Sequence, residues 1–487
     1  MKIKSLFFTA LAATALASCS NDDDIANGTN PVGNSDTGQA LMSISLTAPQ
    51  SGITRAAKDS VGTVAETTIK DALVVLLKAD NTVTQVIDLS AMSVNTPSKA
   101  FEVIDPDISD SVLVIANPTA DIKTLVTPAA TLASIKNMIN YTGTVTGDIA
   151  QDGHFMMNNI KLAYCKDKIK KYGPGAYSSK EVAMSMAEKD PIAVAVDRVV
   201  AKVSLSSDVT ETKGAGVTGA DKDAVSITNW CLNVTNKKFF LMPEKETGLT
   251  SSIYHKDPNY DNNTTQTLAN EFNTTVLPSE ATFQNFTTGT TSNAYCLENT
   301  MTADEQMNAY TTQALLKAQY TPNGYTKGES WFRFRGKAYQ TLTDLQAAYN
   351  AIEPTDAKNV LKVACDSLAK IVKLGKDFKD LAIADLDDMD DCANEVKDSG
   401  IEFFQKGICY YTVLIRHDDA VTTPMNLGRW GVVRNNWYHI NVTNINLPGT
   451  PWIDTPSTTI KDDEVKSYLS VKITVNPWKY WTQNVEL

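Results

Sequence analysis

Apolar and polar residues alternate along many short stretches of this chain, and this period of two restricts its fold more than any other feature. In residues 40–48 one face carries Met42, Ile44, Leu46 and Ala48, and the other carries Ser43, Ser45 and Thr47. Because successive side chains of a strand point to opposite faces, the pattern predicts a half-buried β-strand. Comparable strand patterns recur at residues 69–77, 83–89, 111–116, 192–205, 225–234, 239–242, 314–320, 330–335, 408–415, 430–445, 468–475 and 483–487. We therefore expect a mainly β fold.

Helical spacing interrupts the strands in one interval. Residues 345–352 and 357–374 are predicted helices, with Asp344 (or Thr343) and Asp356 as candidate N-caps, and the second places its apolar side chains on one helical face. Earlier in the chain, residues 206–223 shift to a linker-like composition of Ser, Thr, Gly, Lys and Asp. We therefore predict two β domains with a helical insertion in the second. Their predicted limits are residues 56–207 and 208–466, followed by a C-terminal segment, residues 467–487.

The N-terminus has the layout of an export signal. Lys2 and Lys4 precede an apolar stretch, residues 6–16, that is too short to span a membrane. Small residues then lead to Cys19, as in a lipobox. We predict that residues 1–18 are a signal peptide and that acylated Cys19 anchors the precursor to the outer membrane. The alternative is an ordinary signal peptide followed by a cysteine that stands there by chance.

A polar stretch follows Cys19. Residues 20–39 are rich in Asp, Asn, Gly, Ser and Thr, which predicts a flexible tether. The acidic run at residues 22–24 resembles the export signal of surface-exposed lipoproteins, and a merely solvated linker is the alternative.

Charge and cysteine content exclude some classes of protein. The formal net charge is −12, so no basic stripe is available to neutralise nucleic-acid phosphates. Beside Cys19 there are six cysteines, none in a CxxC motif. An oxidising compartment would allow disulfides, and buried free thiols are an equal alternative. Cys365 with Cys392 is the pair to test first.

The sequence offers no catalytic constellation. The GxSxG, HExxH and P-loop motifs are absent. One GxGxxG, at Gly214, Gly216 and Gly219, falls in the polar linker with no helix expected after it, so chance glycines explain it better than a dinucleotide site. The acidic run 385–391 lacks the glycine and distal glutamate of an EF-hand, so a solvated loop is favoured over a calcium site. We predict no enzyme, no cofactor and no metal site.

Tryptophans concentrate toward the C-terminus, at Trp430, Trp437, Trp452, Trp478 and Trp481. Such rings could form a platform on which carbohydrates stack. In alternating strands they belong more often to a core.

Arg55 is the first arginine of the chain and lies in a polar stretch beyond the first strand. An exposed arginine there is a ready target for an arginine-specific protease. Cleavage between Arg55 and Ala56 would release residues 19–55, which carry both the lipid and that strand.

The chain ends in two alternating runs. Leu469, Val471, Ile473 and Val475 share one face of the first, and Val485 and Leu487 belong to the second. Loss of the N-terminal strand would leave unpaired backbone groups and an apolar groove, which template addition of another strand. The C-terminal segment of a second copy could fill the groove, and this contact would not close, giving a filament. The alternative is that Arg55 is an uncut surface residue and that both terminal strands are ordinary sheet edges.

Four segments resemble the type V pilins, the fimbrilin family, and in particular the shaft subunits of short fimbriae. They are residues 197–203 (DRVVAKV), 432–440 (VVRNNWYHI), 470–479 (SVKITVNPWK) and 485–487 (VEL). The resemblance implies two transthyretin-like β-sandwich domains, a lipoprotein precursor, arginine-directed cleavage and donor-strand polymerisation.

The resemblance also assigns roles to residues. Cys19 corresponds to the lipid site, Arg55 to the cleavage site and residues 40–48 to the displaced strand, while residues 467–487 supply the donor. The implied partners are copies of the same chain, anchor and tip subunits and an arginine-specific surface protease, in an extracellular fimbrium that supports adhesion and biofilm formation. An anchor or tip subunit, or a glycan-binding surface lipoprotein, remains the alternative.

Overall fold

The structure is a computed structural model that describes residues 39–47, 62–136, 139–140, 145–212, 222–249, 253–261, 268–279, 281–372, 375–465 and 469–477. The predictions on Cys19, Arg55, Ala56, the GxGxxG glycines, Val485 and Leu487 fall outside these residues. Strands dominate the described part of the chain, as the alternating pattern predicted.

Two groups of strands enclose the first hydrophobic cluster. One sheet has the spatial order Asp197–Arg198, Met157–Asn158, Ser111–Ala116, Asp71–Leu77 and Val83–Ser90, with Ala163–Tyr164 also paired to Ser111–Ala116. The other group joins Lys170–Lys171, Ala40–Met42 and Phe101–Val103, and pairs Ile192–Ala195 with Ile44–Thr47. Within these strands, residues 72–77 and 112–116 are continuous apolar runs, and every side chain in them is buried. The first cluster consists of buried side chains between Ala40 and Val200, together with Phe239, Leu241, Met242 and Leu297.

Two four-stranded sheets enclose the second cluster. The first has the spatial order Thr291–Leu297, Val200–Ser207, Asn436–Ile445 and Leu469–Pro477. The second has the spatial order Gln284–Asn285, Ala224–Asn233, Gln313–Thr321 and Ile408–Leu414. Both contribute apolar side chains to the cluster, among them Leu205, Trp230, Leu316 and Ile440. Val200–Ser207 runs parallel to Asn436–Ile445, a pairing between strands far apart in sequence.

The helical insertion lies between two strands that pair directly with each other, Gln313–Thr321 and Ile408–Leu414. It contains strands Trp331–Phe334, Lys337–Tyr339 and Glu402–Phe404 and helices Leu342–Asn350, Val360–Val372, Ile383–Asp387 and Cys392–Val396. These elements bury a third cluster of their own, which includes Phe332, Leu345, Leu368 and Phe403. The predicted insertion is therefore confirmed.

The predicted helix starts were wrong by a few residues. The first helix begins at Leu342 and not at 345, because the Thr341 hydroxyl accepts a hydrogen bond from the Asp344 amide (3.1 Å) while the Asp344 carboxylate accepts one from the Thr341 amide (2.9 Å). Asp344 thus closes a capping box from inside the helix. The second helix begins at Val360 because Asn359, and not Asp356, accepts from the first-turn amides.

Shorter elements complete the described chain. The remaining α-helices are Val64–Thr67, Ala120–Leu125, Leu132–Lys136, Lys180–Lys189 and Leu268–Glu271. The remaining strands are the pairs Ile139–Asn140 with Lys238–Phe239, Ala150–Gln151 with His154–Phe155, Thr235–Asn236 with Phe272–Asn273, and Glu244–Lys245 with His255–Lys256. Among the described helices, none has both the length and the apolar character needed to cross a membrane.

The predicted domain boundary falls after a strand that packs with the C-terminal half. Val200–Ser207, placed in the first domain by its position before the linker, contributes Ala201, Val203 and Leu205 to the second cluster. The division into domains at residues 207 and 208 stays a prediction.

Candidate functional site

The N-terminal strand, residues 40–47, has backbone partners along both of its edges. Its first part, Ala40–Met42, lies antiparallel between Phe101–Val103 and Lys170–Lys171. Its second part, Ile44–Thr47, runs parallel to Ile192–Ala195, and on the other edge the Ser98 amide donates to the Ile44 carbonyl at 2.7 Å. A strand with partners on both sides cannot leave without creating two new sheet edges.

One face of the N-terminal strand fills the first cluster. Met42, Ile44 and Leu46 are all fully buried there, as the alternating pattern predicted. Each such side chain contributes about 1.5–3 kcal/mol when it is buried, so the three together contribute roughly 5–9 kcal/mol as an upper bound. This is comparable to the whole stability of a typical domain, about 5–15 kcal/mol. Without this strand the first cluster would need another occupant.

The opposite face is covered unevenly. Leu41 packs against Ala183 and Ala187 of helix Lys180–Lys189. Ser43 is 1% exposed, and its hydroxyl donates to the Ser98 carbonyl at 2.9 Å. The remaining residues of this face, Ser45 and Thr47, are half-buried. The prediction of a half-buried strand was therefore wrong for the first half of the strand, because helix Lys180–Lys189 covers Leu41 and the Ser43 hydroxyl is hydrogen-bonded to Ser98.

The C-terminal strand, Leu469–Pro477, forms the last strand of its sheet. It pairs antiparallel with Asn436–Ile445, with Ile473 opposite Ile440. Ile473 is 5% exposed and belongs to the second cluster. Within the described residues no strand pairs with its outer edge. Leu469, Val471 and Val475 occupy alternate positions of the same strand, as predicted.

A buried polar network, which sequence reasoning missed, fixes the chain just beyond the Arg55 region. Glu66, in the first described helix, contacts the Lys202 ammonium at 2.7 Å and accepts a hydrogen bond from the Tyr295 hydroxyl at 2.6 Å. Arg198 Nε donates to the Glu66 carbonyl at 2.8 Å. Burial alone would raise the pKa of Glu66, but the hydrogen bonds from Lys202 and Tyr295 outweigh burial and keep this pKa below its ordinary value. These contacts do not involve the N-terminal strand.

The described cysteines, Cys165, Cys231, Cys296, Cys365, Cys392 and Cys409, are buried and unbonded. Cys365 and Cys392 share the third cluster without a disulfide, and burial raises the pKa of both thiols to about 12. Within the described ranges, no group of three or more His, Cys, Asp or Glu side chains could hold a metal ion.

The described C-terminal tryptophans each have a separate polar partner. Trp430 donates to Asp463 (3.1 Å), Trp437 to Ser204 (2.7 Å) and Trp452 to Asp454 (2.9 Å). Trp430 is buried and the other two are half-buried. Trp478 and Trp481 lie outside the described residues.

Comparison with known proteins finds a similarity in the C-terminal part of the chain. Residues 402–484 match the family model described as "Major fimbrial subunit protein type IV, Fimbrillin, C-terminal". This match includes the whole C-terminal strand and the strand Asn436–Ile445 that pairs with it. No curated protein matches the chain.

Several solved structures are similar to the chain. One candidate cell adhesion protein from Parabacteroides distasonis has a TM-score of 0.47 and 12% identity, covering 91% of this chain and 99% of its own. Another from Bacteroides eggerthii has a TM-score of 0.44 and 12% identity, covering 92% and 98%. The tip fimbrial protein of Porphyromonas gingivalis, truncated at its C-terminus, has a TM-score of 0.35 and 11% identity, covering 89% and 99%. Over residues 402–484, the chain is similar to the C-terminal part of the fimbrillins.

Proposed function

We propose that this chain is the shaft subunit of a surface fimbria and polymerises by donor-strand exchange. The observation that carries the proposal is the position of the N-terminal strand, which has partners on both edges and fills the first cluster although it precedes Arg55. A segment that is both central to a core and removable by one cut acts as a temporary occupant of its groove.

In the proposed processing, lipid anchoring at the membrane comes first and cleavage follows. The precursor is exported as a lipoprotein through Cys19 and held at the outer membrane. An arginine-specific protease then cuts between Arg55 and Ala56 and releases residues 19–55. The network of Glu66, Lys202 and Tyr295 supports this order, since it holds the new N-terminal region in place without the strand.

The vacated groove would accept the C-terminal segment of a neighbouring copy. Residues 467–487 carry the alternating apolar side chains required, at Leu469, Val471, Ile473, Val475, Val485 and Leu487. Backbone hydrogen bonds on both edges of the groove would provide affinity, and the apolar side chains would replace Met42, Ile44 and Leu46. Because the two surfaces in contact differ, the contact repeats into a filament, on which anchor and tip subunits would complete a fimbrium that supports adhesion and biofilm formation.

Substitution of the cleavage arginine tests this proposal. Arg55→Lys keeps the charge but removes the site of an arginine-specific protease, so we expect the variant to remain a lipid-bearing monomer in the producing cells. Arg335→Lys, at an exposed arginine of the helical insertion, is the matched control and should polymerise like the unmodified chain. Polymerisation of Arg55→Lys to the normal extent would contradict the proposal.

Two truncations would locate the donor within the C-terminal segment. Loss of residues 467–487 should abolish polymer, whereas loss of residues 478–487 alone leaves the C-terminal strand, Leu469–Pro477, in its sheet. If the shorter truncation also abolishes polymer, the last ten residues contain the inserted strand. If polymer persists, Leu469–Pro477 must leave its own sheet edge to insert.

A further inference from the structure

We propose that helix Lys180–Lys189, here called the clamp helix, holds the first half of the N-terminal strand in its groove, so that the strand leaves from its Thr47 end. This inference rests on the proposed function, since it concerns how the strand is released after cleavage.

The clamp helix covers the strand through one apolar contact. Leu41 points away from the first cluster and is 2% exposed, because it packs against Ala183 and Ala187 of the helix. The small alanine side chains allow close approach of the helix to the strand. Met42, the next residue, is buried in the first cluster on the other side. This half of the strand is therefore enclosed on both faces as well as on both edges.

Ion pairs tie the clamp helix to the strands on either side of Leu41. Glu102 and Lys170 are the residues directly opposite Leu41 on the two neighbouring strands. Glu102 pairs with Lys180 at the start of the helix, and Lys170 pairs with Asp190, the C-cap residue, at 2.8 Å. The helix thus bridges three adjacent strands with Leu41 beneath it.

A further contact fixes the C-terminal part of the helix. The Glu188 carboxylate accepts a hydrogen bond from the Ala100 amide at 3.2 Å. Exposed ion pairs contribute little each, whereas a buried leucine contributes considerably more, so the Leu41 contact should dominate the effect of the clamp.

The second half of the strand has no such cover. Ser45 and Thr47 are half-buried, and the paired residues Ala193 and Ala195 are exposed. Cleavage at Arg55 would create a free end on this same side, since Arg55 follows Thr47 in the chain. Release should therefore begin at Thr47 and reach the clamped residues last.

Hydrogen exchange of the uncleaved full-length chain tests the clamp before any polymer forms. In the unmodified chain, amides of residues 44–47 should exchange faster than those of residues 40–42. Leu41→Ala should raise exchange at residues 40–42 at least tenfold, as expected from the usual cost of removing a buried leucine side chain. Ile104→Ala, at a neighbouring side chain that is 61% exposed, is the matched control and should leave these rates unchanged.

A surface variant keeps the test informative if Leu41→Ala does not fold. Glu102→Gln combined with Asp190→Asn removes the pair of Glu102 with Lys180 and both pairs of Asp190, with Lys170 and Lys168. It should raise exchange at residues 40–42 about twofold to fivefold, in line with the small contribution of largely exposed pairs. Glu211→Gln, which breaks the exposed pair with Lys222 elsewhere, serves as its control.

The release rate after cleavage gives the second readout. The peptide ending at Arg55 should dissociate at least tenfold faster from Leu41→Ala than from the unmodified chain. The clamp proposal would be overturned if residues 40–42 and 44–47 exchanged at equal rates in the unmodified chain. It would also be overturned if neither Leu41→Ala nor the double variant changed the exchange rates at residues 40–42. Failure of the cleaved chain to polymerise would contradict the proposed function but leave the exchange result on the uncleaved chain valid.

Discussion

Single side chains of the N-terminal strand decide how firmly its groove is filled. Ile44 is fully buried in the first cluster, and its neighbour Ser45 is half-buried on the opposite face. We expect Ile44→Ala to lower the free energy of unfolding of the uncleaved chain by about 2–5 kcal/mol, because a large buried side chain is lost. Ser45→Ala should change it by less than about 0.5 kcal/mol. Urea denaturation measures both, and equal effects would contradict the burial of this face.

Adjacent aspartates should respond oppositely to pH. Asp462 is 2% exposed, its Oδ1 has no hydrogen-bond partner among the described residues, and burial raises its pKa to about 7. The unfolded chain loses this proton near pH 4, whereas the folded chain keeps it until about pH 7. Stability contributed by protonated Asp462 is therefore present at low pH and is lost as the pH rises through this window.

Asp462→Asn should remove the loss of stability that Asp462 causes as the pH rises. We expect the variant to gain up to about 4 kcal/mol relative to the unmodified chain at pH 8, and little at pH 4. Asp463 is the matched control: hydrogen bonds from Arg429 and Trp430 outweigh burial and lower its pKa, so Asp463→Asn should destabilise the chain at pH 8. Denaturation at the two pH values measures the difference, and a loss of stability in Asp462→Asn at pH 8 would count against this account.

At the scale of residues, the sequence was informative where periodicity alone decides the environment. The inward positions Met42, Ile44 and Leu46 followed from alternation. Ser43 did not, because its partner Ser98 lies 55 residues away in the chain. Glu66 and Lys202 also form their ion pair across a separation of 136 residues, which no local pattern encodes.

At the scale of elements, the first helix of the insertion starts at a different residue from the one that the sequence predicted. Thr341 forms the capping box, whereas Thr343 lies inside the helix and is exposed. We expect Thr341→Ala to destabilise the third cluster by about 1 kcal/mol, because one backbone amide loses its partner. Thr343→Ala should be neutral or slightly stabilising, since alanine is the better helix former. Thermal unfolding followed by far-ultraviolet circular dichroism measures both, and a larger loss for Thr343→Ala would favour the start at residue 345.

The type of each element was easier to predict than the elements that it pairs or packs with. Strands and the helical insertion followed from periodicities of two and 3.6 residues. The parallel pairing of Val200–Ser207 with Asn436–Ile445 did not, because its paired residues lie 235 positions apart in the chain. For the same reason the sequence could not show that the clamp helix covers Leu41.

At the scale of the whole molecule, the first cluster is complete only while its groove is filled. A chain starting at Ala56 and lacking residues 467–487 should therefore bind a synthetic peptide of residues 39–47 and gain several degrees in melting temperature by mass action. The same peptide with Ile44→Asp should give no gain, because a charge would enter an apolar site. Calorimetry of the two mixtures measures this, and equal shifts with both peptides would show that the groove does not select the strand.

Under the proposed function, removal of residues 19–55 converts a lipid-anchored monomer into a polymerising subunit. The N-terminal sequence and native mass of the protein sheared from the surface of producing cells test this conversion. We expect a chain that begins at Ala56 in high-mass polymers. A chain that begins at acylated Cys19 and is monomeric would contradict it and would indicate an anchor subunit or another surface lipoprotein.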